Sequence, residues 1–430
     1  MSGNELILLF LGVLFLLLFI GVPIAFTLLL VAVALLIAIG NFDTQLIAQS
    51  VIFGANSYTL LAIPFFILAG EIMSYGGISR RIVDFVASLV GHVRGGLGYV
   101  VIIASIIFAG LSGSAVADAA ALGAILIPMM VQMGYDKATS VALVCASAII
   151  APIIPPSIPM ILFGVAGQVS ISRLFMSGIV PGLILALSLM TIWYFIARKN
   201  NYPVGQKASP EQVLKAFKGA IFALVMPLII VGGIRFGIFT PTEAGAIAVV
   251  YAFIISVFVY KEIKLKEIPQ VLTAAARTTG QVLLVAATAM SAAWVITTAG
   301  LPQKIVTTLS GLAETKLMLL LVINVFLLFL GMVMDITPAI LIFTPILIPL
   351  IKQVGIDPIY FGLIMTLNLV MGLITPPVGT VLYVGCGVGK INMAELVKKI
   401  LPFIMVEFIV LLLLILFPRL VIAPLGWLVK

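Results

Sequence analysis

A double proline stands twice inside strongly apolar sequence, and the segments around the two copies match without a gap at an offset of 221 residues. Ile125-Leu126-Ile127-Pro128 recurs as Ile346-Leu347-Ile348-Pro349, and Gln132, Gly134 and Asp136 meet Gln353, Gly355 and Asp357. Pro155-Pro156 then falls on Pro376-Pro377, Gly164 on Gly385 and Pro181 on Pro402, and the match starts at Gly110/Gly331. A proline supplies no amide donor and clashes with the preceding turn, so adjacent prolines end a regular helix. In hydrocarbon, carbonyls freed in this way must be met by protein, water or an ion. A duplicated membrane unit with one interrupted helix per copy therefore predicts a binding site where the copies meet.

The rest of the composition agrees with a membrane location. Hydrophobic residues make up 63% of the chain and charged residues 9%, with a mean hydropathy of +1.34. A soluble domain carries about 25% charged residues. Apolar runs long enough to span a bilayer, roughly 20 residues, recur throughout, whereas the alternating strands of a membrane barrel are absent. The expected fold is an all-α polytopic membrane protein. The net charge of +8 is read as a topology signal, and nucleic acid is not an expected partner. The first apolar run, Leu6 to Ile39, is too long for a signal peptide and reads as two helices meeting at Gly21-Val22-Pro23.

The polar stretch from Arg198 to Lys218 divides the chain. Residues 1–200 form the first repeat, with scaffold helices in 1–95 and a hairpin and broken helix in 96–197. Residues 201–218 form a cytoplasmic link. Residues 219–430 form the second repeat, with scaffold helices in 219–316 and a hairpin and broken helix in 317–418. The first half is expected to cross near 5–20, 24–40, 57–75, 138–166 and 174–197. The second is expected to cross near 219–235, 243–260, 279–298, 358–388 and 398–418. Re-entrant hairpins are expected over 96–133 and 317–352. With the link in the cytoplasm, 16 of the 23 basic residues fall on the cytoplasmic side, which places both termini in the periplasm. Five crossings per half is an odd number, so the repeats are inverted, as alternating access about a midplane site requires. Ile78 to Gly91 and its counterpart Leu301 to Glu314 each present one apolar face, as helices lying in the membrane interface do.

Four segments hold the candidate chemistry. The tip Ser112-Gly113-Ser114, followed by Asp118, offers hydroxyls, freed carbonyls and an intramembrane acid; such acids are costly and usually functional. The break at Pro155-Pro156-Ser157 adds backbone carbonyls and a hydroxyl. Their counterparts are the tip Asp335-Ile336-Thr337 and the break Thr375-Pro376-Pro377-Val378-Gly379-Thr380. Asp335 falls on Ser114 and not on Asp118, so the two sets are similar but not chemically equal. Neutral oxygens suit a hard cation such as Na⁺, and half-helix ends add fixed partial charges. Ser114, Ser157, Asn368 and Thr380 are candidates to line a substrate. Glu71 lies near a cytoplasmic helix end within reach of water, and Arg235 and Glu243 bracket an outer turn. One histidine, His92, and two cysteines, Cys145 and Cys386, exclude a Ser-His-Asp set or a Cys/His metal cluster.

The Gly-Leu-Ser-Gly-Ser-Ala-x-Ala-Asp run, the Ile-Pro-Pro-Ser break and the Thr-Pro-Pro-x-Gly break resemble the large membrane subunit of TRAP (tripartite ATP-independent periplasmic) transporters. The resemblance covers essentially the whole chain and is greatest to the sialic-acid members. It implies sodium-driven, ATP-independent uptake across the bacterial inner membrane, with an elevator-like domain moving against a scaffold. It also implies a small four-helix membrane subunit and a periplasmic substrate-binding protein as partners. By position it assigns one sodium site to Ser112, Gly113, Ser114, Asp118, Pro155, Pro156 and Ser157. A second falls to Asp335, Thr337, Thr375, Pro376, Pro377, Gly379 and Thr380, with an organic acid bound between them. No organic cofactor is implied. A stand-alone sodium–carboxylate symporter has the same inverted hairpins and is the nearest alternative. An intramembrane aspartyl protease needs a close carboxylate pair, but the repeat sets Asp118 opposite Ala339.

Overall fold

The structure, a computed structural model, describes residues 3–304 and 315–428. It is all-helical among the described residues, apart from one isolated bridge between Arg94 and Val204. The first half contains α1 (Gly3–Phe19), α2 (Ile24–Ala38), α3 (Thr44–Ala55), α4 (Ala62–Tyr75) and α5 (Ile78–Val90). It continues with α6 (Gly96–Ser112), α7 (Ala115–Gln132), α8 (Lys137–Ala148), α9 (Ile158–Gly167) and α10 (Ile171–Lys199). The second half contains α11 (Pro210–Arg235), α12 (Pro241–Ile254), α13 (Ile268–Thr298), α14 (Lys316–Val333) and α15 (Ile336–Gln353). It ends with α16 (Pro358–Gly372), α17 (Thr380–Gly389), α18 (Met393–Leu416) and α19 (Arg419–Leu428). Nine helical spans among the described residues are long and apolar enough to cross a membrane. Their outward side chains include Leu187, Met405 and Ile409, as contact with lipid requires.

Local signals set the helix ends. Ser114 caps α7 and its repeat counterpart Asp335 caps α15, each accepting a backbone N–H from the first turn. Asp136 and its counterpart Asp357 do the same for α8 and α16. A side-chain oxygen at this position satisfies a donor that the helix cannot. The third matching cap fails: Ser157 caps α9, but α17 starts from Gly379 at φ 57° with no side-chain cap.

Reciprocal contacts follow from the inverted repeat. Helix α4 packs on α12 while α2 packs on α13, and α7 packs on α17 while α9 packs on α15. Small residues permit close crossings in hydrocarbon. Ala244, Gly245, Ala248 and Ala252 are buried on α12, and a Cβ on Gly245 would stand 2.9 Å from Phe65 Cβ. One set of helices contains α1–α4 and α11–α13; the other contains the hairpins α6–α7 and α14–α15, the broken helices α8–α9 and α16–α17, and α10 and α18, and the two meet where α13 packs on α15 and α4 on α6.

Three elements differ from the sequence expectation. The crossing expected at 279–298 begins at Ile268, because Thr273, Arg277 and Thr278 are compatible with a helix that emerges from the membrane. Thr273 and Thr278 return their hydroxyls to Pro269 O and Ala274 O. The expectation included no α3, a short apolar helix capped by Asp43, and no α19. The interface helix at Ile78 to Gly91 is present as α5. Most of its counterpart at Leu301 to Glu314, from residue 305 on, lies outside the described residues.

Candidate ion and substrate site

In the first half the chain leaves α6 at Gly113, whose φ of 62° carries it into the left-handed region that favours glycine. The turn sets Ser112 and Ser114 side by side, with the Ser114 N–H donating to Ser112 Oγ at 3.2 Å. Ser112 Oγ in turn donates to Asp118 Oδ1, one turn into α7. Asp118 is wholly buried and its Oδ2 has no hydrogen-bond partner. An acid in that position presents an unused acceptor inside the protein, the situation in which a cation or a proton is wanted.

The break between α8 and α9 lies directly against this tip. A Cβ on Gly113 would come within 2.4 Å of Pro156 O, and one on Gly110 would lie 3.7 Å from Pro155 O. Both prolyl carbonyls therefore face the hairpin. The Pro155-Pro156 bond is cis, as is its counterpart Pro376-Pro377. Ser157 turns inward: its hydroxyl donates to Pro152 O at 2.5 Å and accepts the Met160 N–H at 3.2 Å. It is fully buried and serves the loop's own backbone.

The second half repeats the docking with other chemistry. Val378 N–H donates to Met332 O at 3.2 Å, tying the second break to the second tip. Above it, Gly331 and Gly372 touch so closely that a Cβ on Gly372 would stand 2.3 Å from Gly331 C. Asp335 Oδ1 accepts the Thr337 N–H at 3.1 Å, and the Asp335 side chain is exposed, unlike that of Asp118. Thr375 gives its hydroxyl to Met371 O at 2.7 Å, whereas Thr380 Oγ1 is buried with no partner. Pro376 is half-buried and Pro377 exposed. The first break is thus closed over and the second open.

The halves also interlock further along these helices, away from the breaks. A Cβ on Gly123 of α7 would touch Val388 of α17 at 3.4 Å, and one on Gly167 of α9 would lie 3.1 Å from Thr344 of α15. At the tips and breaks four helices, α7, α9, α15 and α17, begin and four, α6, α8, α14 and α16, end. Positive and negative half-helix ends therefore both occur there, and residues 110–118, 152–159, 331–338 and 372–380 contain no lysine or arginine. Asn368 does not join this set openly. It is buried, and its amide donates to Asn324 Oδ1 at 2.8 Å and Asn324 O at 2.9 Å, joining α16 to α14.

Two acids carry more than the sequence reading gave them. Glu71, half-buried on α4, lines a cavity of about 260 Å³ together with Ser112, Ser114 and Thr278. The cavity separates the hairpin tip from α4 and α13 of the other helix group. Glu407 on α18 is wholly buried with both carboxylate oxygens unpartnered. Its signal was a lone acid within an apolar run. Glu71 is likewise a lone acid in an apolar run, read from sequence as reaching water at a helix end; only the fold shows that α4 brings it to the tip.

The sequence of residues 11–420 matches the family described as the DctM component of the tripartite ATP-independent periplasmic transporter. The chain belongs to this family. It is a component of a transporter and not an enzyme, and the family description makes it one part of a three-part assembly. It is 48% identical over 421 residues to the 2,3-diketo-L-gulonate TRAP transporter large permease protein YiaN of Escherichia coli, covering 98% of this chain and 99% of that one. It is 41% identical over 403 residues to the sialic acid TRAP transporter large permease protein SiaM of Vibrio cholerae, covering 94% of each. The C4-dicarboxylate permease DctM of Pseudomonas aeruginosa is 40% identical over 374 residues, covering 87% of this chain and 88% of that one. The crystal structure of the YdaH transporter of Alcanivorax borkumensis shares the fold, with a TM-score of 0.64 at 14% identity over 90% of this chain and 89% of that one.

Proposed function

We propose that this chain is the large permease of a sodium-coupled system that takes up a sugar-derived carboxylate, sialic acid being the first candidate. The observation that supports the reading is the docking of a hairpin tip on a helix break in both halves, Gly113 on Pro156 and Met332 on Val378. Each docking gathers neutral oxygens and helix C-terminal carbonyls, the ligands a sodium ion takes, beside an unused acceptor on Asp118 or Thr380. Bound sodium and the N-termini of α7, α9, α15 and α17 supply positive potential for a carboxylate where no arginine or lysine stands. Asp118 holds charge or a proton beside the first ion. Asp335, open to solvent, meets the second.

Transport then consists of the hairpin and broken-helix group sliding, elevator-like, against α1–α4 and α11–α13. The cavity between Glu71 and the first tip lies on that sliding boundary. A small four-helix membrane subunit braces the frame, and a periplasmic binding protein delivers substrate. Both termini face the periplasm, and the membrane is the bacterial inner membrane. Sugar-acid substrates are favoured because relatives named for 2,3-diketo-L-gulonate and for sialic acid both align over nearly the whole chain.

The test is uptake of sialic acid, 2,3-diketogulonate and succinate into proteoliposomes, with the two partner subunits present or absent and an inward Na⁺ gradient imposed or omitted. Uptake that needs both gradient and binding protein supports the reading. Gradient-driven uptake without the binding protein assigns a stand-alone symporter instead. Uptake indifferent to sodium removes the coupling role from the two breaks.

A further inference from the structure

A cleft of about 970 Å³ lies between the start of α6 and the end of α10, away from the hairpin tips. Its walls change character along their length. On α10, Arg198, Tyr194 and Met190 follow at intervals of four residues, so they form one stripe roughly 12 Å long at 1.5 Å per residue. Facing it, Arg94 precedes α6, and Tyr99 and Ile103 continue inward on that helix. Both walls therefore run from guanidinium through phenol to aliphatic side chain. That is the sequence of environments along a phospholipid, from phosphate through glycerol ester to acyl chain.

The guanidinium groups are available. The ion pairs among the described residues are Arg81–Glu262 and Lys399–Asp136, so neither Arg94 nor Arg198 faces a carboxylate. Arg94 Nη1 donates once, to Asn201 Oδ1 at 3.2 Å, and Arg198 sits over the Tyr194 ring at 4.4 Å. Both side chains are exposed, and their remaining donors suit a phosphate, which arginine binds as a fork. The position beside the basic link is also where anionic headgroups collect.

We propose that this cleft is a binding site for one anionic glycerophospholipid, its phosphate held by Arg94 and Arg198 and its acyl chains lying along Ile103 and Met190. The lipid joins α5 and α6 to α10 at the membrane surface. A basic residue near an anionic headgroup is worth about fivefold in binding, so the pair gives roughly a thirtyfold preference over a zwitterionic lipid.

The test is native mass spectrometry of the delipidated full chain titrated with phosphatidylglycerol or phosphatidylcholine of identical acyl chains. The expected result is retention of phosphatidylglycerol by roughly thirtyfold in the wild type, lost in R94Q/R198Q and retained in part in R94K/R198K, which keeps the charge but not the fork. Ile103→Trp, which fills the apolar end, should weaken retention with both arginines intact, and it tests the site independently of the charge variants. Equal retention of the two lipids by the wild type overturns the proposal, as does a preference that survives R94Q/R198Q. Displacement by glycerol 3-phosphate at the same concentration as the lipid also overturns it, because a soluble phosphate site needs no acyl groove.

Discussion

Adding one methyl group at the first hairpin tip, Gly113→Ala, should separate the tip from the helix break it rests on. The new Cβ would lie 2.4 Å from Pro156 O, whereas ordinary contacts begin at 3.4 Å, so tip and break must part by about 1 Å. The obstacle is backbone and cannot rotate away. Alanine at φ 62° adds about 1–2 kcal/mol for the left-handed backbone. Overpacking adds about 1–3 kcal/mol, giving a total of roughly 2–5 kcal/mol. Gly70→Ala is the control, since its Cβ would meet Ser112 Cα at a comfortable 3.8 Å on the far side of the same tip. In a helix that change is neutral or gains up to about 1 kcal/mol. Thermal unfolding of the two variants should therefore diverge. The sodium concentration for half-maximal uptake should rise about tenfold in Gly113→Ala alone, the effect of 1.4 kcal/mol. Wild-type sodium dependence in Gly113→Ala, or equal damage from Gly70→Ala, would refute the idea that this contact shapes an ion site.

Ser112→Ala removes the donor to Asp118 Oδ1 and leaves a buried acid wholly unpartnered, at a cost of about 1–3 kcal/mol. Uptake assays and immunoblots should show sodium dependence falling further than abundance; parallel loss assigns the serine to packing. Replacing Pro376 and Pro377 by alanine restores two amide donors and should abolish uptake without changing membrane insertion, and retained sodium-coupled uptake removes the break from the mechanism. Arg81→Ala deletes a 2.9 Å ion pair with Glu262 and a cation–π contact with Tyr260 at 3.9 Å. Both groups are partly exposed, so the unfolding free energy should fall by only about 1 kcal/mol, read by denaturant titration. At the loop between α7 and α8, burial pulls the Asp136 carboxyl upward, but hydrogen bonds from the Thr139 side chain and backbone and the nearby Lys399 outweigh it. Its pKa therefore lies below the usual carboxylate value. The stability this contributes is present above about pH 4 and is lost as pH falls through the folded-state value. A melting-temperature series from pH 7 to 3 should show that loss in the wild type and less of it in Asp136→Asn.

The repeat and the prolines carried most of the architecture. Pro128 and Pro349 sit inside α7 and α15, and the double prolines fall between α8 and α9 and between α16 and α17. These residues act through backbone geometry alone, so their effect is visible without tertiary knowledge. The start of α13 was not visible in this way, because Arg277, Thr278 and Gly280 resemble a loop until the fold shows them inside one continuous helix from Ile268 to Thr298. Site chemistry was legible in residue type and illegible in commitment. Ser157 and Thr375 are hydroxyls at the breaks, yet each is bonded to nearby backbone; Thr380 is the one left without a partner. Asn368 looked like a lining residue until Asn324, forty-four positions away, proved to be its partner. Contacts between helices distant in sequence decide such cases, and no local pattern encodes them.

The unequal breaks bear on direction. In a molecule built from two inverted halves, turning the inside out exchanges the halves. Identical copies would make the inward and outward conformations equal in energy, and any bias would have to come from the solutions on either side. Here the exchange is imperfect: the sealed Asp118 is answered by Ala339, the exposed Asp335 by Ser114, and a serine cap by a bare glycine. Each mismatch adds a difference between the two conformations, and a few kcal/mol shifts such an equilibrium by orders of magnitude. Under the proposed elevator cycle, the resting orientation is set at the places where the repeat fails.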